Sequence, residues 1–451
     1  MRIRPYTAPR VNAPQGRRMV KHRAAALGLT GCGGCGKALR PMRFTFIHAA
    51  DLHVDSPLAA LGAKDRAVAE RFAHAGRKAV ENLVARTLEE KAAFLIIAGD
   101  LFDGDWRDVS TGHFLARALG PLHRADIPVF IQRGNHDAAS KIARDLPFAP
   151  SVRVFDDAAP QTFLLDHLGV ALHGRSFGPR ELPTDFVSAY PQARAHMLNI
   201  GVLHTSLSGD RGHDPYAPAS IGDLRAFGYD YWALGHVHAG EILDRDPWVV
   251  YPGNLQGRSV RETGAKGAVR VVVENGRIRE ATHFACDAAR WANETLDVSG
   301  CADEADIAAA AEALFAQAAR EAEGRPLALR LRLSGVTPLH ARLTAGRERL
   351  EDDLRFAAAR HADDFWIERL RLATRAPQTR PAAGADALDV ARLLAEAAAE
   401  PDFAAEIAAL TAALVDKAPR LRDELSVLSR EDWAAEARDL LIGALETGDA
   451  P

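Results

Sequence analysis

Five times in this chain a short apolar run stops at a residue that can ligate a cation. Phe44-Thr-Phe-Ile-His-Ala leads into Asp51-Leu-His53, and Phe94-Leu-Ile-Ile-Ala into Gly99-Asp100. Pro128-Val-Phe-Ile-Gln leads into Gly134-Asn-His-Asp137, Met197-Leu-Asn-Ile-Gly-Val-Leu into His204, and Tyr231-Trp-Ala-Leu into Gly235-His-Val-His238. The run Phe94-Leu-Ile-Ile-Ala is nearly continuous in apolar residues rather than alternating, which is what a strand looks like when both faces of its sheet are covered. Helical periodicity separates the first three runs. Residues 65–91 carry Val68, Phe72, Val80, Leu83, Val84 and Leu88 among charges, and residues 109–124 repeat the pattern. Alternating strands and helices predict an α/β fold, and in such folds functional groups gather at the carboxyl ends of the strands.

The character of the chain then changes. Trp248-Val-Val-Tyr and Ala268-Val-Arg-Val-Val-Val-Glu274 read as further strands, the second turning at Asn275-Gly276. Past residue 288 a helix over 302–322 precedes an alternating strand, Leu327–Leu333. A helical stretch and a second such strand, Trp366–Leu372, follow. Alternation puts Arg330 and Arg332 on one face of the first, and Arg369 and Arg371 on one face of the second. This predicts a small α+β domain over 288–375, a linker at 376–385, and a helical region over 386–451 with helices at 386–399, 402–416 and 431–446. The principal domain spans 42–285.

Charge is unevenly spread. Residues 1–43 hold ten of the 56 Lys and Arg and no acid, which leaves 46 basic against 60 acidic residues, a balance of −14. A nucleic-acid-binding chain normally shows a basic footprint, so such a contact here must use a local patch or metal ions. Residues 1–41 lack any hydrophobic period and read as an unstructured basic extension. Arg17-Arg18 ahead of an apolar stretch ending at Cys32 is the alternative pattern of an export signal. Cys32 and Cys35 are half of a zinc motif with no second half. Four cysteines form no disulfide framework, which places the chain in a reducing cytoplasm. No run is long enough to cross a membrane.

The residues at the five strand ends are Asp51, His53, Asp100, Asn135, His136, His204, His236 and His238. Carboxylates, imidazoles and an amide oxygen form a mixed nitrogen and oxygen set that suits Mn²⁺, Fe²⁺ or Zn²⁺ rather than a thiolate site. The ligands are too numerous for one ion. A pair of ions about 3.5–4 Å apart, sharing a carboxylate, accommodates them.

The ordered set D-x-H, G-D-x-x-D, G-N-H-D, H, G-H-x-H resembles the calcineurin-like metallophosphoesterase superfamily across residues 43–285. His48-Ala-Ala-Asp-Leu-His-Val-Asp-Ser-Pro-Leu58, Gly99-Asp-Leu-Phe-Asp103, Tyr251-Pro-Gly-Asn-Leu-Gln-Gly-Arg258, Glu262-Thr-Gly264 and Lys266-Gly267 resemble its YhaO-type branch of DNA repair exonucleases, relatives of the SbcD nuclease subunit. The resemblance implies a β-sandwich with flanking helices, capped by the smaller domain. It implies that Asp51, His53, Asp100 and His238 hold one divalent ion, Mn²⁺ by preference, and that Asp100, Asn135, His204 and His236 hold the other. It also implies a metal-activated hydroxide as nucleophile, His136 as proton donor or charge stabiliser, DNA as substrate and a homodimer. An SbcC-like ATPase would dock on the C-terminal helices.

Asp103 departs from the SbcD pattern, in which His commonly follows Gly-Asp-x-x. A carboxylate there is expected to pair with His136 and fix its tautomer. Arg258 and Arg261 are candidate substrate-phosphate contacts. The rival reading is a small-molecule phosphodiesterase or phosphatase, of cyclic-nucleotide or nucleotide-sugar type, which the acidic balance favours. A scaffolding subunit with a dead site is opposed by the complete ligand set.

Overall fold

The computed structural model describes residues 42–56, 66–103, 108–139, 146–178, 186–207, 219–362 and 364–377, with isolated positions between 396 and 417. The basic extension over 1–41, and nearly all of the linker and helices expected over 376–451, lie outside the described residues.

Two six-stranded sheets form the principal domain. In the first, β1 (Arg43–Ala49), β2 (Leu95–Ala98), β3 (Val129–Gln132) and β4 (Val152–Val154) run parallel. The hairpin of β11 (Gly267–Glu274) and β12 (Arg277–Ala285) lies antiparallel beside β1. Its turn at Asn275-Gly276 has positive φ at both residues, as the sequence predicts. In the second sheet β6 (Val170–Gly174), β7 (Leu198–His204), β8 (Tyr231–Gly235) and β10 (Trp248–Tyr251) run parallel. Antiparallel β5 (Gln161–Leu165) and β9 (Glu241–Arg245) close its edges.

The sheets pack face to face through Phe46, Phe94, Ile96 and Phe130 from one and Leu172, Ile200, Val202 and Tyr231 from the other. Helices cover the outside of the first sheet. Val80, Leu83 and Val84 of α1 (Arg66–Glu89), Leu115 of α2 (Val109–Ala118) and Leu122 of α3 (Gly120–Arg124) meet Ile47, Leu95, Ile97 and Val129. The helix expected over 109–124 is therefore two, broken at Gly120-Pro121, where proline lacks an amide proton but suits a first helical turn. Covering both faces of each sheet explains why the strands read as unbroken apolar runs. Two short helices, α4 (Asn135–Ala139) and α5 (Ile221–Ala226), follow β3 and β7.

The smaller domain is a parallel sheet ordered β13 (Arg290–Asp297), β14 (Leu327–Val336), β15 (Phe365–Arg375). Helix α6 (Glu304–Ala322) connects the first pair, and α7 (His340–Ala345) with α8 (Arg347–Ala359) the second. Leu327, Leu329, Leu331 and Leu333 face these helices. The other face carries Trp291, Ala328 and Trp366 near the strand starts, packed on Phe72 of α1 with ring centroids 5.2 and 5.7 Å apart. Beyond this aromatic seam the same face carries arginines in register, Arg330 opposite Arg369 and Arg332 opposite Arg371. A bulge makes Glu368 an extra residue, and it accepts both donors of Arg330 at 2.9 and 3.0 Å. Among the described residues, no helix is long and apolar enough to cross a membrane.

Candidate metal centre

The ends of β2 and β8, from opposite sheets, meet in backbone contact. A Cβ on Gly235 would lie 1.8 Å from the Ala98 carbonyl oxygen, and one on Gly134 would lie 2.2 Å from Asp100 Oδ1. Glycine is thus required immediately before two of the ligand motifs. Asp51 N donates to Gly99 O at 3.0 Å, and His53 N to Asp100 O at 3.1 Å, so the loops after β1 and β2 travel side by side. Asp51, His53, Asp100 and His236 all have positive φ, between 41° and 95°. Non-glycine residues are held there only where the surroundings over-determine them, and such strain clusters at functional sites. One of those determinants is Asp137, the last residue of the Gly134-Asn-His-Asp137 motif, whose role the sequence does not announce. Its buried carboxylate accepts Leu101 N, Phe102 N and Gly134 N within 3.1 Å, tying the Gly99 and Gly134 turns together.

Ligand atoms of Asp51, His53 and His238 lie within 4.8 Å of one another, and those of Asp100, His204 and His236 do likewise. Asp100 Oδ2 stands between the groups, 3.3 Å from His204 Nε2 and 3.8 Å from His53 Nε2, where a shared carboxylate belongs. Asn135 Oδ1 is 3.0 Å from His204 Nε2. Asp51 accepts the His236 amide on both oxygens at 3.0 Å. All seven predicted ligands therefore converge.

The donor atoms fit cations. His53 Nδ1 is 2.7 Å from Asp103 Oδ1 and His238 Nδ1 is 2.8 Å from Glu262 Oε1, and toward carboxylates these nitrogens donate. Neutral rings held this way turn lone pairs inward, and the two Nε2 atoms face each other at 3.2 Å. His204 Nδ1 donates to Ala98 O at 3.0 Å, so its Nε2 likewise meets the oxygens of Asp100 and Asn135. Acceptors facing acceptors need positive charge between them. In the metal-free chain a proton supplies that charge at His204: burial would depress it, yet Asp100 and Asp51 outweigh burial and push its pKa up to about 9, so Nε2 holds a proton toward Asp100 that a bound ion would replace. Burial lowers His53 despite Asp103, so that ring stays neutral and keeps its lone pair for a metal. The mixed set suits Mn²⁺, Fe²⁺ or Zn²⁺.

The calcineurin-like phosphoesterase pattern matches residues 44–240, and the pattern of the middle domain of metallophosphoesterase YhaO matches 291–375. The chain is 34% identical over 298 residues, 65% of its own length and 72% of the relative's, to a Bacillus subtilis (strain 168) protein described as the uncharacterized metallophosphoesterase YhaO. The chain belongs to the calcineurin-like metallophosphoesterase family. Among solved structures, TT1561 of Thermus thermophilus aligns over 54% of this metallophosphoesterase and 99% of its own chain, with 11% identity and a TM-score of 0.32. A dimetal phosphatase from Danio rerio aligns over 53% and 98%, with 14% identity and the same score.

Around the metal ligands the metallophosphoesterase has an outer layer that differs from expectation. The hydrogen bond expected between Asp103 and His136 is, in the structure, one between Asp103 and His53. The backbone pairing of His53 with Asp100 brings the β1 loop against the Gly99–Asp103 turn, and this decides which imidazole Asp103 meets. Burial opposes ionisation of Asp103, but His53, Ser56 and Arg258 prevail and hold it at about 2. His136 is exposed, its ring edge-on to His53 at 5.3 Å and its amide donating to Asp100 Oδ1. Arg258 spends its guanidinium on carboxylates, 3.3 Å to Asp103 Oδ1 and 3.0 Å to Glu262 Oε1. Arg261 is exposed beyond it. Glu262 is a site residue that sequence reasoning missed. Its only sequence signal is its place in the Glu262-Thr-Gly264 motif.

Proposed function

We propose that this metallophosphoesterase is a DNA phosphodiesterase, an exonuclease of the repair type. The observation that carries the reading is the arginine face of the smaller domain. Like charges directly opposite each other on neighbouring strands oppose sheet stability. Here two arginine pairs are stacked, and among the described residues Glu368 is the one carboxylate paired with them. An extended polyanion relieves that repulsion; a small phosphoester has no use for it. The rows lie about 7 and 13 Å along the strands from the tryptophans, at roughly 3.3 Å per residue. Trp291 Nε1 in turn donates to Gly257 O at 2.9 Å, next to Arg258 and the metal ligands. A phosphate backbone lying on the arginines is thereby led toward the centre.

Two divalent ions held by these ligands would supply an activated water and Lewis acidity toward the phosphoester. The chain's own groups do the rest. Asp51, Asp100 and the four ligand histidines set where the ions sit. Asp103 and Glu262 fix the His53 and His238 tautomers, and exposed His136 beside His53 stands where a leaving 3′ or 5′ oxygen can take its proton. The −14 balance outside residues 1–43 favours a second reading, a small-molecule phosphodiesterase.

End-labelled linear duplex with Mn²⁺, wild type against His136→Ala, separates the two. The proposal expects stepwise shortening that His136→Ala abolishes and that weakens steeply with salt. Hydrolysis of bis-p-nitrophenyl phosphate with no loss of duplex would establish the small-molecule reading instead.

A further inference from the structure

The Asp51 position is backed in a way that His204 of the other position is not. His204, in the position shared by Asp100 and His236, gives its Nδ1 proton to a neutral backbone carbonyl, Ala98 O. In the Asp51 position both imidazoles are backed by carboxylates, His53 by Asp103 and His238 by Glu262. A carboxylate behind an imidazole raises its basicity as a ligand and fixes its orientation, and loss of such a partner typically weakens metal binding about 10–100-fold.

Those two carboxylates come from distant parts of the chain, and one residue joins them. Arg258 donates through Nη1 to Asp103 and through Nη2 to Glu262, while its backbone N donates to Glu262 Oε2 at 2.7 Å. Asn254 Nδ2 holds the same oxygen at 2.9 Å. The result is a closed chain, His53–Asp103–Arg258–Glu262–His238, whose ends are the two Nε2 atoms 3.2 Å apart. Arg258 Nη2 is also 3.2 Å from His238 Nδ1, but the shorter bond of that nitrogen to Glu262 sets the tautomer. The guanidinium is only 24% exposed and bonded on both sides. A planar fork can span two carboxylates in this way; a lysine ammonium cannot.

We infer that Arg258 is a positioning residue that clamps the two imidazoles of the Asp51–His53–His238 position through Asp103 and Glu262, making it the tighter of the two metal positions. It acts through the ligands rather than by touching substrate, and it breaks the near-symmetry of the centre. The inference rests on the two-position reading of the site and not on the identity of the phosphoester.

Equilibrium dialysis against buffered Mn²⁺, with metal per chain counted by elemental analysis, tests it without turnover. Wild type should fill in two resolved steps. In Arg258→Met the tighter step should weaken about 10–100-fold while the weaker step stays in place. Arg258→Lys should behave as Arg258→Met, because charge alone does not close the chain. Glu262→Gln, which keeps the side chain's shape, should move the same step and serves if the arginine variants do not fold. Recovery of wild-type binding in Arg258→Lys overturns the clamp, as does an equal fall in both steps. Two ions entering wild type in one indistinguishable step overturn the inequality. A wild type that never takes up a second ion sinks the two-position reading with it.

Discussion

Gly235→Ala tests how the centre is assembled, because the added methyl points at a place where backbone of the two sheets touches. Its carbon would stand 1.8 Å from Ala98 O and 2.9 Å from His204 Nδ1. Ordinary contact begins near 3.5 Å, so the ends of β2 and β8 must part by about 1.7 Å. Backbone faces backbone there, and no flexible side chain can yield. Overpacking of this kind costs about 1–3 kcal/mol, and the loss of the His204–Ala98 bond adds about 1 kcal/mol. Function should suffer more than stability. Asp100 rides on one strand end and His236 and His238 on the other, whereas metal–ligand distances tolerate only about 0.2 Å. A misplacement near 1 Å costs roughly 10²-fold in rate. Bis-p-nitrophenyl phosphate turnover, metal per chain and urea unfolding should be measured together. Gly300→Ala is the control, since its added Cβ meets nothing within 4 Å; its stability should change by less than about 0.5 kcal/mol. Wild-type turnover and two ions per chain in Gly235→Ala would refute this account of the centre.

Asp137→Asn leaves at least one of three buried amides without an acceptor and should cost about 1–3 kcal/mol in the metal-loaded protein, read from urea midpoints. In the metal-free chain burial and the neighbouring Asp100 raise Asp137 to about 7. An acid raised on folding contributes stability below its unfolded value near 4 and loses it as pH rises through about 7. The wild type should therefore lose stability relative to Asp137→Asn between about pH 4 and 7, and a difference flat across that window would contradict this. Trp291→Ala should remove about 3–5 kcal/mol from the aromatic seam. It should split unfolding into two transitions, and a single transition at the wild-type midpoint would show that the seam does not couple the domains. Chelation should lower the melting temperature, since Mn²⁺ at 100 times its Kd contributes about 2.7 kcal/mol per site; an unchanged melt would speak against any resident ion.

Much of this was legible in the sequence because the same residues carry two signals. Runs such as Phe94–Ala98 are apolar because both sheet faces are covered, and they stop where the ligands begin. Strands lacking that cover were not readable. Val152–Val154 has three residues, and Gln161–Leu165 lies at a partly exposed edge. Arg290–Asp297 alternates with Asn293, Thr295 and Asp297 exposed, and only its pairing with β14 reveals a strand. The ligand set could be read from local motifs, but its outer layer could not. Nothing in the motif around Arg258 announces its pairing with Asp103, 155 residues away. Asp103 had two histidines to choose between, and backbone pairing of two loops made the choice.

The hairpin that flanks β1 has a consequence for how the chain is made. Thr45 pairs with Val272 and Phe46 with Val271, so the first strand waits for a partner more than two hundred residues downstream. At about 5–20 residues per second of synthesis, that wait is on the order of 10–50 s. Until then β1 has β2 on one side and an open edge on the other, and that edge can recruit foreign strands. Asp51 and His53 leave the ribosome early, but His238 and Glu262 emerge only shortly before the hairpin that closes the sheet. A centre able to hold metal is therefore one of the last things this domain acquires.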